Sequence, residues 1–502
     1  GGTPDTSKSA RGNPAAAGAL SNDDQTQIVG FILRSYYRPR FSWPYLVGKD
    51  SAIVFATWAQ RDSAGKTAPS ATAAGTIAIT DVTIIDVRDG RALTRQTVVV
   101  AGNRIRSVSP VRGAKVPDGA RLIDGRGKFL MPGLWDMHVH TAIIGGRELL
   151  SLYVANGVTG VRDMAGDWST LTGWRREIAA GTLAGPRIVA SGPYLEGGDV
   201  PIPHILTRTP AEGVAGVDLL IALGAEFVKV HGQLRPETYY AIARRARERG
   251  IAFGGHVSQA VGAANASDSG QKSIEHLLAI PAPCTPVESL ALRPRFPVQS
   301  AVGRCRSMDL VELYAKFARN ETWVTPTFVA MVEVAGWPQH DVPGDTLARY
   351  LPDTLRKYVA RIFPMPDSIP AGADSVGRAM LAKRTRQVTD MHRVGVGILT
   401  GTDAPLRNSP PGFGLHEELL MLVRGGFTPA EALRAGTLAP ARYLNATDSL
   451  GTVEAGKLAD LVLLDANPLL DINNTRRIAA VLFNGKYIDG AERMKLLKCC
   501  NP

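Results

Sequence analysis

Eight times between residues 134 and 404 the chain sets down a short apolar run, and most of these runs are followed by a stretch at helical spacing. The runs are those carrying WDMHVH (135–140), VTGVRDM (158–164), PRIVASG (186–192), EFVKVHG (226–232), IAFGGHV (251–257), SIEHL (273–277), TWVTPTF (322–328) and VGILTGTDA (396–404). Parallel strands cannot be joined by a tight turn and need a crossover, usually a helix. Eight β/α units over about 270 residues fit a (β/α)8 barrel, which typically takes ~250. The clearest helix is PETYYAIARRARERG (236–250), apolar at helical spacing, with Gly250 placed to end it. The expected fold class is α/β, a TIM barrel spanning 131–446.

The flanks have a different texture. TIAITDVTIIDV, QTVVVAGNRIRSVSP and ARLIDGRGKFL, within 76–130, are β-branched runs broken by Gly, Asn and Asp. KLADLVLLD (457–465) and IAAVLFNGKYID (478–489) repeat that texture, with Asn484–Gly485 as a hairpin signal. Two β-rich ends around an unlike middle predict a small composite β-sandwich domain, 76–130 plus 447–490, with 491–502 as a C-terminal tail. Residues 1–75 read as an N-terminal extension. Its polar first 26 residues suit a poorly ordered arm, and 61–75 read as a linker. Residues 27–60 carry Phe31, Tyr36, Tyr37, Phe41, Trp43, Tyr45, Phe55 and Trp58, a density suited to docking on the body or a neighbouring subunit. Two Pro-rich connections, 278–308 and 330–376, exceed ordinary loops and are expected to cover the barrel mouth.

Composition narrows the function classes. The chain of 502 residues is 45% apolar and holds no uninterrupted apolar run long enough for a membrane span. Its net charge of +11 is scattered rather than striped, and the densest group, Arg244, Arg245, Arg247 and Arg249, reads as an exposed helix face; a nucleic-acid partner is not expected. Cys284, Cys305, Cys499 and Cys500 lack zinc-ribbon spacing. A Cys284–Cys305 disulfide would need an oxidising compartment. With the polar start lacking Met, this leads to an expectation of a periplasmic or secreted protein.

Residues i and i+2 of a strand point the same way, so His138 and His140 project together from strand one. Taken alone, the pair fits two core histidines as well as a metal site. The other strand ends add Lys229 (four), His256 (five), His276 (six) and Asp403 (eight). Lysine, histidine and aspartate are rarely buried without partners, and six such residues at one barrel mouth are hard to explain by packing. Imidazoles and carboxylates suit zinc and similar divalent ions. An ammonium has no lone pair for a metal, but a neutral lysine amine that has captured CO2 becomes an anionic, bidentate carbamate. Burial favours that neutral amine.

MPGLWDMHVH, FVKVH, FGGHV, SIEHL and LTGTDA together resemble the amidohydrolase superfamily, in its imidazolonepropionase-like branch, which includes Xaa-Pro dipeptidases and ochratoxin-hydrolysing enzymes. The resemblance runs from about 78 to 490 and includes LGTVEAGKLADLVLLDANPL. It implies a metal-dependent hydrolase cleaving an amide bond, in a dipeptide or N-acyl amino acid, by attack of a hydroxide bridging two divalent ions, zinc foremost. His138 and His140 would hold one ion with Asp403, His256 and His276 the other, and carbamylated Lys229 would bridge them. Asp403 would also move the proton. The resemblance further implies a homo-oligomer, octamers included. Residues 1–75 have no counterpart in it. The same site could serve a lactone, a cyclic amide or a phosphotriester; a binding or assembly protein on a dead barrel would show ligand loss, and all six positions are present.

Other residues carry two readings. His231, two after Lys229, shares its inward face and either hydrogen-bonds the substrate carbonyl or supports a ligand. Asp163 either orients a ligand or caps a loop. His204 is read as a surface histidine more than a mouth residue, His416 as structural on the helix after strand eight, and His340 and His392 as surface or helix residues.

Overall fold

The computed structural model describes residues 75–200, 204–281, 307–334, 349–362, 373–406 and 409–498, all within the compact unit Gly48–Pro502. The 27–60 aromatic segment, His340 and all four cysteines lie outside the described residues.

The amino-terminal strands are β1 (Thr76–Asp86), β2 (Arg91–Ala101), β3 (Arg104–Pro110), β4 (Arg121–Asp124) and β5 (Phe129–Pro132). β1 bends at register shifts around Val82, and Asp81 takes φ 54° there. The bend lets one edge of β1 pair with β4 along its first half and β5 along its second.

The central strands are β6 (Leu134–Val139), β7 (Val158–Asp163) and β8 (Arg187–Ala190), then β9 (Tyr194–Glu196), β10 (His204–Leu206), β11 (Val228–Val230), β12 (Phe253–Gly255), β13 (Ser273–Glu275) and β14 (Trp323–Thr325). They form two parallel sheets, β6-β7-β8 and β10-β9-β11-β12-β13-β14. β9 and β10 were not foreseen. Segment 396–404 bridges in parallel to both sheets, Ile398 to Val324 and Ala404 to Val139. Glu226 N donates to Ala190 O at 3.1 Å across the remaining gap.

Helices cover the strands, and their ends follow from sequence. Trp168–Ala180 starts at Asp167, whose carboxylate accepts from Thr170 N at 2.7 Å, and ends at left-handed Gly181. Pro210–Leu223 opens with a Thr209/Glu212 capping box. Such caps stabilise a helix start by about 1 kcal/mol. Pro236–Glu248 is helical as expected, with Gly250 at φ 67°. The expected 330–376 cover is not simply loop: helix Phe328–Val334 enters it and helix Asp353–Ile362 lies within it. Pro352, one source of the loop reading, sits at the start of the second helix, where a missing N–H costs little.

The chain returns as β15 (Leu461–Leu464), β16 (Ile478–Phe483) and β17 (Lys486–Ile488), the last two joined through left-handed Asn484 and Gly485. The sandwich expectation needs correcting. All eight flanking strands form one sheet, β17-β16-β15-β5-β1-β2-β3 with β4 on β1. β3 hydrogen-bonds to 456–459, just before β15, so the sheet curls rather than splitting in two. Ile77, Ile79, Val98, Val100, Leu461, Leu463 and Leu482 fill the enclosed face.

Candidate metal centre

β6 is buried on both faces and carries His138; His140 follows at its carboxyl end. Asp403 reaches them from 396–404, which is held beside β6 by the bonds Asp403 N to His138 O (2.7 Å) and His140 N to Ala404 O (2.8 Å). Asp403 Oδ1 lies 3.0 Å from His140 Nε2 and 3.4 Å from His138 Nε2. These three residues form a group able to hold a metal ion. His138 Nε2 and His140 Nδ1 are buried with no hydrogen-bond partner. Buried polar atoms normally have one, so an orphaned imidazole nitrogen beside a carboxylate fits a cation.

The remaining predicted residues stand around that group. His276 is 4.3 Å from His138 and 4.7 Å from His256, ring centre to ring centre. His256 follows β12, His276 follows β13, and His276 Nδ1 is 2.7 Å from Thr327 Oγ1. His276, Leu277, Thr327 and Asp403 all take left-handed backbone. Such strain costs about 1–3 kcal/mol per residue and is held where packing over-determines it.

Burial keeps the imidazoles of His138, His256 and His276 neutral. Burial, aided by the Lys229 charge, holds His138 well below the usual histidine range, and burial brings His276 to about 4. Lys229 is 1% exposed in the middle of β11. Burial lowers it to about 8, against the pull of Glu275 and Asp403. Asp403 is half-buried, and its partial desolvation favours the protonated form, but His276 and His140 outweigh that and hold it below the usual carboxylate range.

His231 lies beside the group, its ring 4.2 Å from that of His256. Its Nδ1 meets Glu196 Oε2, while Glu196 Oε1 accepts from Gly197 N at 2.6 Å and Gln233 N at 3.0 Å. Glu196 was not foreseen; it sits on β9, which also escaped notice. The surface reading of His204 also needs correcting. The residue is half-buried and stacks on Tyr194, at the far end of a row of rings running through His231 to His256. Asp163 accepts from Thr141 N at 2.7 Å and from the Thr141 hydroxyl, so it caps the loop that follows His140. His416 bonds Thr475 and Asn156, and His392 stacks on Phe427; both serve packing.

Sequence reading passed over three buried residues. Asp136 accepts from His138 N and Thr402 N, tying β6 to 396–404. Arg162 and Glu275 lie behind His138, both with fully buried side chains.

Parallel strands whose carboxyl ends gather four imidazoles, a carboxylate and a buried lysine define an α/β protein with a donor set suited to divalent ions. The chain belongs to the Amidohydrolase family, whose signature matches residues 129–488, and it is an enzyme acting on amide bonds. Ochratoxinase from Aspergillus niger is 25% identical over 398 residues, 72% of this chain and 76% of that protein. Among solved structures, a bottromycin amidohydrolase superposes with a TM-score of 0.68 at 22% identity, covering 89% of this chain and 97% of its own. A Xaa-Pro dipeptidase with bound methionine superposes with a TM-score of 0.61 at 22% identity, covering 83% of this chain and 100% of its own. Neighbours of this kind imply the TIM-barrel fold. Among the described residues no helix is long and apolar enough to cross a membrane.

Proposed function

We propose that the protein is a binuclear metal-dependent amidohydrolase that cleaves the amide bond of a dipeptide or N-acyl amino acid. The observation carrying this reading is the convergence of His138, His140 and Asp403, with the orphaned Nε2 of His138 facing the Asp403 carboxylate. The scaffold is a closed (β/α)8 barrel, supported by the parallel bridges from 396–404 to both sheets.

His138, His140 and Asp403 would hold one ion, His256 and His276 the second, and Lys229, as a CO2-derived carbamate, would serve both. Two divalent ions held there, zinc foremost, would supply Lewis-acid polarisation of a scissile carbonyl and a nucleophilic water near neutral pH. The protein's own groups do the rest. Asp403, its side chain 19% exposed at the mouth, accepts the proton of the attacking water and passes it to the leaving nitrogen. His231, whose Nδ1 is engaged by Glu196, offers its other nitrogen to the substrate carbonyl. The backbone bonds between segment 396–404 and β6 keep Asp403 within reach of both strand-one imidazoles.

Hydrolysis of a Xaa-Pro dipeptide and N-acyl amino acid panel, run beside lactones, cyclic amides and phosphotriesters, tests the bond class. Turnover of the amides above the others supports the reading. Turnover of lactones or phosphotriesters alone replaces it, and no turnover by metal-loaded protein favours a binding role.

A further inference from the structure

Arg162 is the largest fully buried side chain among the described residues, and it lies behind the metal group rather than in it. A buried guanidinium is costly unless every donor is met. Here all five N–H groups are used. Nε donates to Met137 O at 2.6 Å; Nη1 donates to Ser273 Oγ at 3.0 Å and Tyr443 OH at 2.8 Å. Nη2 donates to Glu275 Oε1 at 2.8 Å and Thr325 Oγ1 at 3.3 Å. One side chain from β7 thus ties β6, β13, β14 and helix Leu438–Tyr443 together.

Glu275 has two occupied oxygens. Oε1 accepts from Arg162 and from Ser273 Oγ at 2.6 Å; Oε2 lies 2.8 Å from His138 Nδ1. A carboxylate paired with a guanidinium can only accept, so His138 Nδ1 carries the proton and donates it. That leaves the lone pair on Nε2, the nitrogen facing Asp403. Arg162 also holds the carbonyl of Met137, the peptide that precedes His138, so both the ring and the backbone of His138 are anchored from the core.

We propose that Arg162 and Glu275 are positioning residues that fix the tautomer and orientation of His138 from inside the barrel, making His138 the preorganised ligand of the site. This rests on the metal-centre reading above. Loss of such an outer partner typically costs about 10–100-fold in metal affinity.

The test uses the full chain stripped of metal and titrated with Co2+, reading apparent affinity and the visible absorption of bound cobalt. Glu275→Gln should bind about 10–100-fold more weakly with altered absorption bands, and Arg162→Lys should fall between it and the native chain. Glu226→Gln removes a half-buried carboxylate elsewhere, one paired with Arg175, and should change neither readout. A folded Glu275→Gln chain with native affinity and native bands overturns the proposal. If that variant does not fold, imidazole nitrogen NMR of the native chain decides, with the His138 signal assigned by its loss in His138→Gln. A proton on Nδ1 supports the proposal, and a proton on Nε2 overturns it. A native chain that takes up no Co2+ overturns the metal-centre reading itself, an outcome distinct from the others.

Discussion

Asp403 Oδ1 stands 3.0 Å from His140 Nε2, although 263 residues, 403 less 140, separate the two along the chain. The contact depends on segment 396–404 lying beside β6, where Thr402 bonds Asp136 and Asp403 N bonds His138 O. The carboxylate therefore reaches the imidazoles from a rigid edge, and its reach into the mouth is set by backbone.

Asp403→Asn keeps the shape and removes the proton acceptor. We expect kcat to fall by about 10²–10⁴-fold, the usual contribution of a positioned acid–base group, with KM changed far less. Steady-state kinetics on the best amide substrate check this, and a kcat within a factor of a few of native would remove Asp403 from proton transfer.

His231→Ala should leave metal content intact and lower kcat/KM by about 10²-fold, the scale of losing one donor to a developing oxyanion. Glu196→Gln should move kcat/KM in the same direction and by less, because it disturbs His231 without removing it. Elemental analysis beside kinetics separates the two readings of His231: metal loss would make it a support for the ligands.

The six proposed ligands stood out in the sequence because each lies in or just after a short apolar run of the repeating β/α pattern, and because lysine or aspartate there is chemically conspicuous. Arg162 and Glu275 did not. Each lies within such a run, in VTGVRDM and SIEHL, and the partners of Arg162 are 25 to 281 residues away, so only the folded chain shows what they touch. Glu196 was missed with β9 itself, and its contacts to His231 and Gln233 lie 35 and 37 residues on. The one-sheet form of the flanking domain depends on the bend in β1, which alternation alone does not reveal.

Gly255 takes φ 134°, and a Cβ added there would stand 2.2 Å from Val230 O and 2.7 Å from Lys229 Cδ. Gly255→Ala should destabilise the fold by about 1–3 kcal/mol through backbone strain. It should also displace Lys229, and with it lower activity by about tenfold or more, since small misplacements at a reacting site are costly. Thermal melts and kinetics are the readouts; loss of stability with native activity would show that Lys229 tolerates movement.

Glu418 points inward from helix Phe413–Gly425; its Oε2 accepts from Val329 N at 3.1 Å while Oε1 is buried without a partner. Burial pushes its carboxyl up to about 8 from an ordinary 4.5. The folded chain then holds this proton more tightly than the unfolded chain. The resulting stabilisation is complete below about pH 4.5 and is lost as pH rises through about 8. Glu418→Gln mimics the protonated form, so its Tm relative to native should rise between about pH 5 and about pH 9. Melting curves across that range check it, and a Tm difference that stays flat contradicts it.

The central claim is that six residues from five strand ends build a two-ion centre. Elemental analysis of the protein purified without chelator tests it most directly. The account predicts close to two divalent ions per chain, with the second lost in Lys229→Ala. A chain that carries no metal, and regains none on adding Zn2+ with bicarbonate, would contradict it.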